Sequence, residues 1–225
     1  MTTSMPVTVR CALCGADSAQ HVLASTTTFG PPDLDLRPQG PARWALQFEV
    51  QQCPRCGYCA DQIGQRTPRA GRTVASLMYR DVLESARMPL LARQFFCAAL
   101  VAETAERRDA AASHFVDAAW ACDDAGAVEQ ARICRQRAAE MLASAIEWGD
   151  VPTESPVARG VLADLWRRAG RYDEALAACE AGEATLDPDD EPQGQTGTVL
   201  AFIRELAEAG DDEPHNVAEA FAAEE

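Results

Sequence analysis

The first 72 residues follow the two-residue repeat of β-strands. In WALQFEVQQ (residues 44–52), large apolar side chains occupy every second position, which predicts a half-buried strand. HVLASTTTF (21–29) is rich in β-branched residues and predicts a second strand. The connection between them, GPPDLDLRPQGP (30–41), contains four prolines and is predicted to be extended. The pattern therefore predicts a small β-rich head over residues 1–72.

After Arg72 the pattern changes to alanine-rich segments with apolar residues at helical spacing. Glycine and proline residues interrupt this pattern and mark the predicted helix ends. The predicted helices span residues 73–87, 89–107, 109–124, 127–148, 157–169, 172–186 and 197–209. Residues 211–225 are acidic and are predicted to form a flexible tail. The expected fold class is α+β and mostly α, with a helical domain over 73–210.

Two copies of one cysteine motif lie in the head: CALCG, which we call knuckle 1 (residues 11–15), and CPRCG, knuckle 2 (residues 53–57). A Cys-x-x-Cys pair places two thiolates on one tight turn, and the following glycine can adopt positive φ. Four thiolates predict a closed, structural zinc site, with iron left open because the same ligands suit it. A catalytic zinc is disfavoured, since no ligand position stays free for water or substrate. The candidate metal ligands are Cys11, Cys14, Cys53 and Cys56.

A third cysteine follows knuckle 2 closely, at position 59. Cys56 and Cys59 also have a two-residue gap, so this pair is an alternative to Cys53 and Cys56. Ala60 follows Cys59, however, and the match to knuckle 1 would be lost. Cys59 is therefore predicted to be either a small buried side chain or a candidate redox-active thiol. The cysteines predicted to be core residues of helices are Cys97, Cys122, Cys134 and Cys179.

Three stretches of the head, CALCG, FGPPDLDLRP and CPRCGY, together resemble a family of uncharacterised bacterial proteins. In that family a split zinc knuckle, a Pro-Asp-Leu-Asp-x-Arg-Pro segment and a second knuckle precede a helical part. The resemblance covers about the first 60 residues well and the helical part only in character. It implies a zinc ribbon followed by tetratricopeptide-like helices, and it implies no particular biochemical activity.

The central segment of this resemblance carries alternating charges. In an extended chain Asp33, Asp35 and Arg37 would share one face, and Leu34 and Leu36 the other. The simpler interpretation is an edge strand whose charges pair with one another or with nearby turns. The alternative is a polar recognition surface in which Arg37 reaches a carboxylate or phosphate of a ligand.

The helical domain contains one degenerate tetratricopeptide-like pattern. The positions that fit the pattern are Leu162, Ala163, Trp166, Gly170, Tyr172, Ala175 and Pro188. GAVEQA (126–131) repeats the turn signature, but the period is irregular. Stacked helix pairs of this kind expose a concave face that binds other proteins. The alternative is that the helices pack compactly, or onto the head, and leave no groove free.

The charge distribution along the chain indicates which class of partner it could bind. Residues 1–73 contain seven Arg and five acidic residues, whereas residues 74–225 contain 13 Arg and 30 acidic residues. The corresponding formal charges are +2 and −17, in agreement with the −15 of the whole chain. So acidic a second part disfavours nucleic acid as a partner and favours a basic protein.

The sequence also carries signals about location. No apolar run approaches the roughly 20 residues that a membrane-spanning helix needs, and the N-terminus lacks the features of a secretion signal. A cytoplasmic location is expected, where clustered cysteines more often bind metal than form disulfides.

Catalytic motifs are missing from the sequence. It contains no GxGxxG, GxxxxGK[ST], HExxH or GxSxG. Its histidines, His21, His114 and His215, lie far apart and have no neighbour that suggests general base catalysis. The leading hypothesis is a non-enzymatic adaptor that binds another protein through the helical domain, with the oligomeric state left open. The alternatives are a zinc or thiol redox sensor that uses Cys59, and an accessory subunit of an enzyme complex.

Overall fold

The structure is a computed structural model that describes residues 2–153, 155–187 and 191–222. Most of these residues are helical, and a small two-stranded sheet and a cysteine cluster lie near the N-terminus. The coarse prediction of a mostly α protein with a small β-containing head is therefore confirmed. Pro188 of the predicted repeat pattern and residues 223–225 of the predicted tail lie outside the described residues.

The head contains one long hairpin and one very short one. Strands β1 (Thr3–Arg10) and β2 (Asp17–Ser25) pair antiparallel, with knuckle 1 in the connection between them. Strands β3 (Gln51–Gln52) and β4 (Cys59–Ala60) enclose knuckle 2 in the same way. Each knuckle is thus the turn of a hairpin.

The strand predicted over residues 44–52 is wrong except for its last two residues. Gly40–Phe48 forms a 3-10 helix that has Pro41 in its first turn, where proline needs no amide hydrogen. Neighbouring residues Ala45 and Leu46 are buried, whereas Trp44 is 67% exposed. The alternating apolar residues therefore do not form one buried face of a sheet, because the helix buries two consecutive residues.

The hairpin strands also differ from the prediction. The strand expected over residues 21–29 begins at Asp17 and ends at Ser25. Its partner β1 was not predicted, although Val7 and Val9 alternate with polar neighbours there. Pro6 lies within β1, and proline is tolerated in such an edge strand.

The body consists of helices that follow one another with short turns. They are α1 (Ala70–Val74), α2 (Leu77–Glu84), α3 (Leu90–Thr104), α4 (Arg108–Asp124), α5 (Val128–Trp148), α6 (Pro156–Arg168), α7 (Tyr172–Glu183), α8 (Glu191–Glu208) and α9 (Val217–Ala222). The predicted helices from α3 to α7 are confirmed to within a few residues. The helix predicted over 73–87 is two helices, because Ser76 caps α2 by accepting a hydrogen bond from the Tyr79 amide. Helix α8 begins at Glu191, six residues before its predicted start.

Three connections in the body have the same backbone conformation. Glu106, Gly126 and Gly170 end α3, α4 and α6 with φ of 64°, 67° and 75°. The residue after each has φ between −104° and −89° and ψ between 66° and 76°, and the next helix then begins. Helices joined in this way pack side by side, α3 on α4, α4 on α5 and α6 on α7. The left-handed backbone conformation at these positions favours glycine, and two of the three residues are glycines.

The C-terminal segment is not the flexible tail that its acidity predicted. Arg167 of α6 is fully buried and donates hydrogen bonds to the carbonyl oxygens of Asp211 (2.7 Å) and Glu213 (3.0 Å). Farther along, Ala220 in α9 is buried. The described residues 211–222 therefore form part of the folded structure.

No helix in the described ranges is long and apolar enough to cross a membrane.

Candidate metal centre

The two knuckles have nearly identical backbone geometry. Gly15 and Gly57 adopt φ of 70° and 78°, the left-handed conformation that glycine allows. Their amides donate hydrogen bonds of 2.9 Å to the carbonyl oxygens of Cys11 and Cys53. Each knuckle is thus a closed turn that presents both of its sulfurs to the same side.

The four predicted ligand sulfurs lie together. The Cys11 and Cys56 Sγ atoms are 3.7 Å apart, and the Cys14 and Cys53 Sγ atoms are 3.5 Å apart. All four lie within 4.8 Å of one another. Zinc–sulfur bonds of about 2.3 Å in a tetrahedron separate sulfurs by roughly 3.8 Å, so the arrangement fits such an ion. The alternative pair with Cys59 does not occur, because that sulfur is not part of the cluster.

The electrostatics of the cluster also favour a bound cation. Burial raises the pKa of the Cys56 thiol to about 12. Burial also acts on Cys53, but hydrogen bonds from the Cys56 and Arg55 amides outweigh it and lower that pKa to about 7. One thiolate is therefore stabilised by the backbone, whereas four in so small a volume would repel one another. A metal ion can offset this repulsion, and a four-sulfur set suits either zinc or iron.

Cys59 lies beneath knuckle 2 and contacts the body of the protein. It is completely buried, and its thiol donates a hydrogen bond to the Gly57 carbonyl. Its amide donates to the hydroxyl of Tyr79, which sequence reasoning did not identify. A sulfur with no exposed surface is not the accessible thiol that a redox sensor uses. The other four cysteines are buried in the helical core as predicted.

The segment from Asp33 to Arg37 forms a tight turn and not the predicted extended strand. The Leu36 amide donates to the Asp33 carbonyl (2.8 Å), and the Asp33 amide donates to the Arg37 carbonyl (3.0 Å). Leu36 adopts a φ of 65° and is 49% exposed, whereas Leu34 is buried. Asp33, Asp35 and Arg37 are 7%, 3% and 1% exposed, so they do not form the recognition surface that alternation suggested.

The charges of this turn are satisfied by the helical body. Arg37 donates to the Asp124 carboxylate at 2.6 Å. Asp35 accepts a hydrogen bond from the Trp120 indole (2.8 Å) and lies 3.5 Å from the Arg168 guanidinium. These partners belong to α4 and α6, more than 80 residues away in sequence. No local pattern could therefore have predicted this arrangement.

The C-terminal segment holds the Asp33–Arg37 turn from its other side. The Leu34 amide donates to the His215 carbonyl (3.0 Å), and the Val217 amide donates to the Pro32 carbonyl (2.9 Å). The Asp33–Arg37 turn is thus enclosed between α4, α6 and the chain beyond α8. It therefore covers part of the helical body that the sequence left open for a partner.

A histidine forms a further charged contact between head and body. His114 of α4 is mostly buried, and its Nε2 lies 3.0 Å from the Asp61 carboxylate, with Asp117 at 3.8 Å from Nδ1. Burial lowers the pKa of His114, but the neighbouring Asp117 and Asp61 carboxylates raise it to about 9. The same contact lowers the pKa of Asp61, whereas burial raises that of nearby Glu49. His114 is therefore protonated at neutral pH and links α4 to the head.

Comparison of the chain with known protein families, with curated proteins and with solved structures found no match.

We predict that the purified protein contains about one metal ion per chain and that Cys53→Ser lowers this occupancy, because three thiolates bind zinc less tightly than four. Elemental analysis of both proteins measures the stoichiometry. Cys179→Ala, at a buried cysteine of α7, is the control: it is expected to destabilise the fold yet keep the metal. A metal-free, folded wild-type protein would contradict the assignment.

We predict that Asp35→Asn lowers the free energy of unfolding by about 3 kcal/mol, because it leaves the buried Arg168 guanidinium undercompensated. Asparagine keeps the size of the side chain and an acceptor for Trp120. Denaturant unfolding of the metal-loaded protein measures the change. Asp81→Asn, at an exposed position of α2, is expected to change stability by less than about 0.5 kcal/mol. Equal effects of the two substitutions would contradict a docking role for Asp35.

We predict that His114 makes stability depend on pH between neutrality and mild alkali. Because folding raises its pKa from 6.5 to about 9, its contribution is complete below pH 6.5 and is lost as pH rises through 9. His114→Gln is expected to remove about 1–3 kcal/mol of this pH-dependent change in unfolding free energy. His21→Gln, at an exposed strand position, should leave the profile unchanged. If the His114→Gln variant kept the wild-type dependence of unfolding free energy on pH, the prediction would be wrong.

Proposed function

We propose that this protein is a non-enzymatic adaptor in which a structural metal ion shapes a small head on a helical, protein-binding body. The observation that carries the proposal is the closed group of four cysteine sulfurs within 4.8 Å of one another. In such a set every coordination position of a tetrahedral ion is taken by the protein. The ion is then a structural element and not a reaction centre.

We take the ion to be zinc, and we propose that its binding stabilises the folded head. The β1–β2 hairpin is largely exposed, so it contributes little buried apolar surface of its own. Structural zinc contributes on the order of 10 kcal/mol to the folding of small domains, which compensates for such a deficit. Cys11, Cys14, Cys53 and Cys56 would hold the ion.

The proposal treats the body as tetratricopeptide-like and the head as the zinc ribbon of the uncharacterised bacterial family. The recurrent turn after α3, α4 and α6 supports the first part, since stacked helix pairs repeat one connection. The spacing of the two knuckles and the Asp33–Arg37 turn support the second part. A cytoplasmic location is part of the proposal, supported by nine cysteines that are all unpaired.

A partner would bind a surface other than the one that the Asp33–Arg37 turn covers. Helices α7 and α8 pack on one another and carry acidic side chains on their outer sides. Glu180, Glu205 and Glu208 are exposed there. Because residues 74–225 carry a formal charge of −17, a basic partner protein is favoured by charge complementarity.

The test is affinity capture of partners by the full chain, followed by mass spectrometry and by direct binding to each purified candidate. We expect a basic protein that binds the wild type, is released by high salt, and binds Glu180→Lys/Glu205→Lys/Glu208→Lys at least tenfold more weakly. The control, Asp81→Lys/Glu84→Lys/Glu147→Lys, changes the net charge equally at other exposed positions and should keep binding. Salt-insensitive binding, or equal loss with both variants, would contradict the proposed surface.

A further inference from the structure

One tyrosine of the body closes the backbone of knuckle 2. The Tyr79 hydroxyl in α2 donates a 2.8 Å hydrogen bond to the Gly57 carbonyl and accepts one of 3.0 Å from the Cys59 amide. The side chain is completely buried. Its hydroxyl therefore bridges two backbone groups that immediately follow the metal ligand Cys56.

We propose that Tyr79 is a positioning residue of the metal centre and that, through it, metal occupancy controls the docking of α2 on the head. The inference rests on the metal centre of the proposed function. It adds a residue outside the ligand set and a route from the ion to the helical body. Groups that orient ligands from outside the coordination sphere commonly change metal affinity by 10–100-fold.

The geometry of knuckle 2 supports the first part. The Gly57 amide is fixed by its hydrogen bond to Cys53, and the Gly57 carbonyl is fixed by Tyr79 and the Cys59 thiol. The peptide groups on both sides of this glycine are thus held in place. Because Gly57 directly follows Cys56, these bonds also restrain the Cys56 backbone from which the sulfur projects.

The packing of α2 against knuckle 2 supports the second part. A Cβ added to Gly57 would lie only 2.6 Å from a methyl group of Leu83, so α2 rests directly on the glycine. At Gly15 of knuckle 1 the nearest atoms belong to the flexible Arg10 side chain, at 3.9 Å. Knuckle 2 is therefore in contact with a helix of the body, whereas the equivalent glycine of knuckle 1 is not.

Helix α2 is short and is anchored by few buried side chains. It has eight residues, of which Tyr79 alone is buried, and Leu77 and Met78 are 82% and 63% exposed. A helix of this length is not stable by itself in water. Its order comes from its packing on α3 and from Tyr79, whose hydroxyl has both of its partners in the loop of knuckle 2. Loss of the ion should consequently free α2 before it frees helices farther from the head.

The first experiment compares metal affinity by chelator competition in Tyr79→Phe and Tyr172→Phe. The two substitutions are matched, since the Tyr172 hydroxyl also donates a 2.8 Å hydrogen bond to a glycine carbonyl, that of Gly210. We expect about tenfold weaker zinc binding in Tyr79→Phe and unchanged binding in Tyr172→Phe. A purely structural tyrosine would lower unfolding free energy without changing zinc affinity. Wild-type zinc affinity in Tyr79→Phe would overturn the proposal.

The second experiment measures hydrogen exchange of residues 77–84 in the wild-type protein with and without zinc. We expect faster exchange there after zinc removal, with residues 172–183 of α7 unchanged as the reference. In Tyr79→Phe the difference between loaded and stripped protein should shrink, because α2 is already partly released. Exchange in α2 that does not respond to zinc would overturn the coupling. Absence of any metal from the wild type would instead refute the proposed metal centre itself.

Discussion

Repulsion among four crowded sulfurs is the constraint on which the head depends. The two knuckles bring their thiols within 4.8 Å, and burial disfavours the ionised form of the thiols at Cys11 and Cys56. A metal ion bound between them would turn this repulsion into attraction and would join the two hairpins. The long hairpin, whose residues are largely exposed, could not supply that energy through burial.

A second constraint acts between head and body, and it is electrostatic as well. Asp35 and Arg37 enter the body as buried charges and meet Trp120, Arg168 and Asp124 there. Burying such pairs contributes little net stability, because desolvation offsets most of the attraction. Any other register of the turn, however, would leave these charges unpaired. We infer that the network chiefly specifies how the head is oriented on α4 and α6.

The parts of this structure that were predictable are those determined within a few residues. The two Cys-x-x-Cys-Gly knuckles and helices α3 to α7 follow from local spacing and from glycine or proline at their ends. The Asp33–Arg37 turn, the 3-10 helix after it and residues 211–222 were predicted wrongly. The turn and residues 211–222 contact partners distant in sequence: Arg37 binds Asp124, and Arg167 donates to the carbonyl oxygens of Asp211 and Glu213. Acidic composition and apolar alternation predict the conformation of a segment from its own residues only. Tertiary contacts determined a different conformation for these segments.

These constraints together determine how the two regions communicate. Knuckle 2 contacts α2 through Tyr79, and the Asp33–Arg37 turn contacts α4 and α6. The chain between these contacts, residues 38–52, is short and includes the 3-10 helix. Together with the His114–Asp61 contact, these attachments fix the orientation of the head on the body. A change at the metal centre must either be transmitted to α2 or break the contact that joins them.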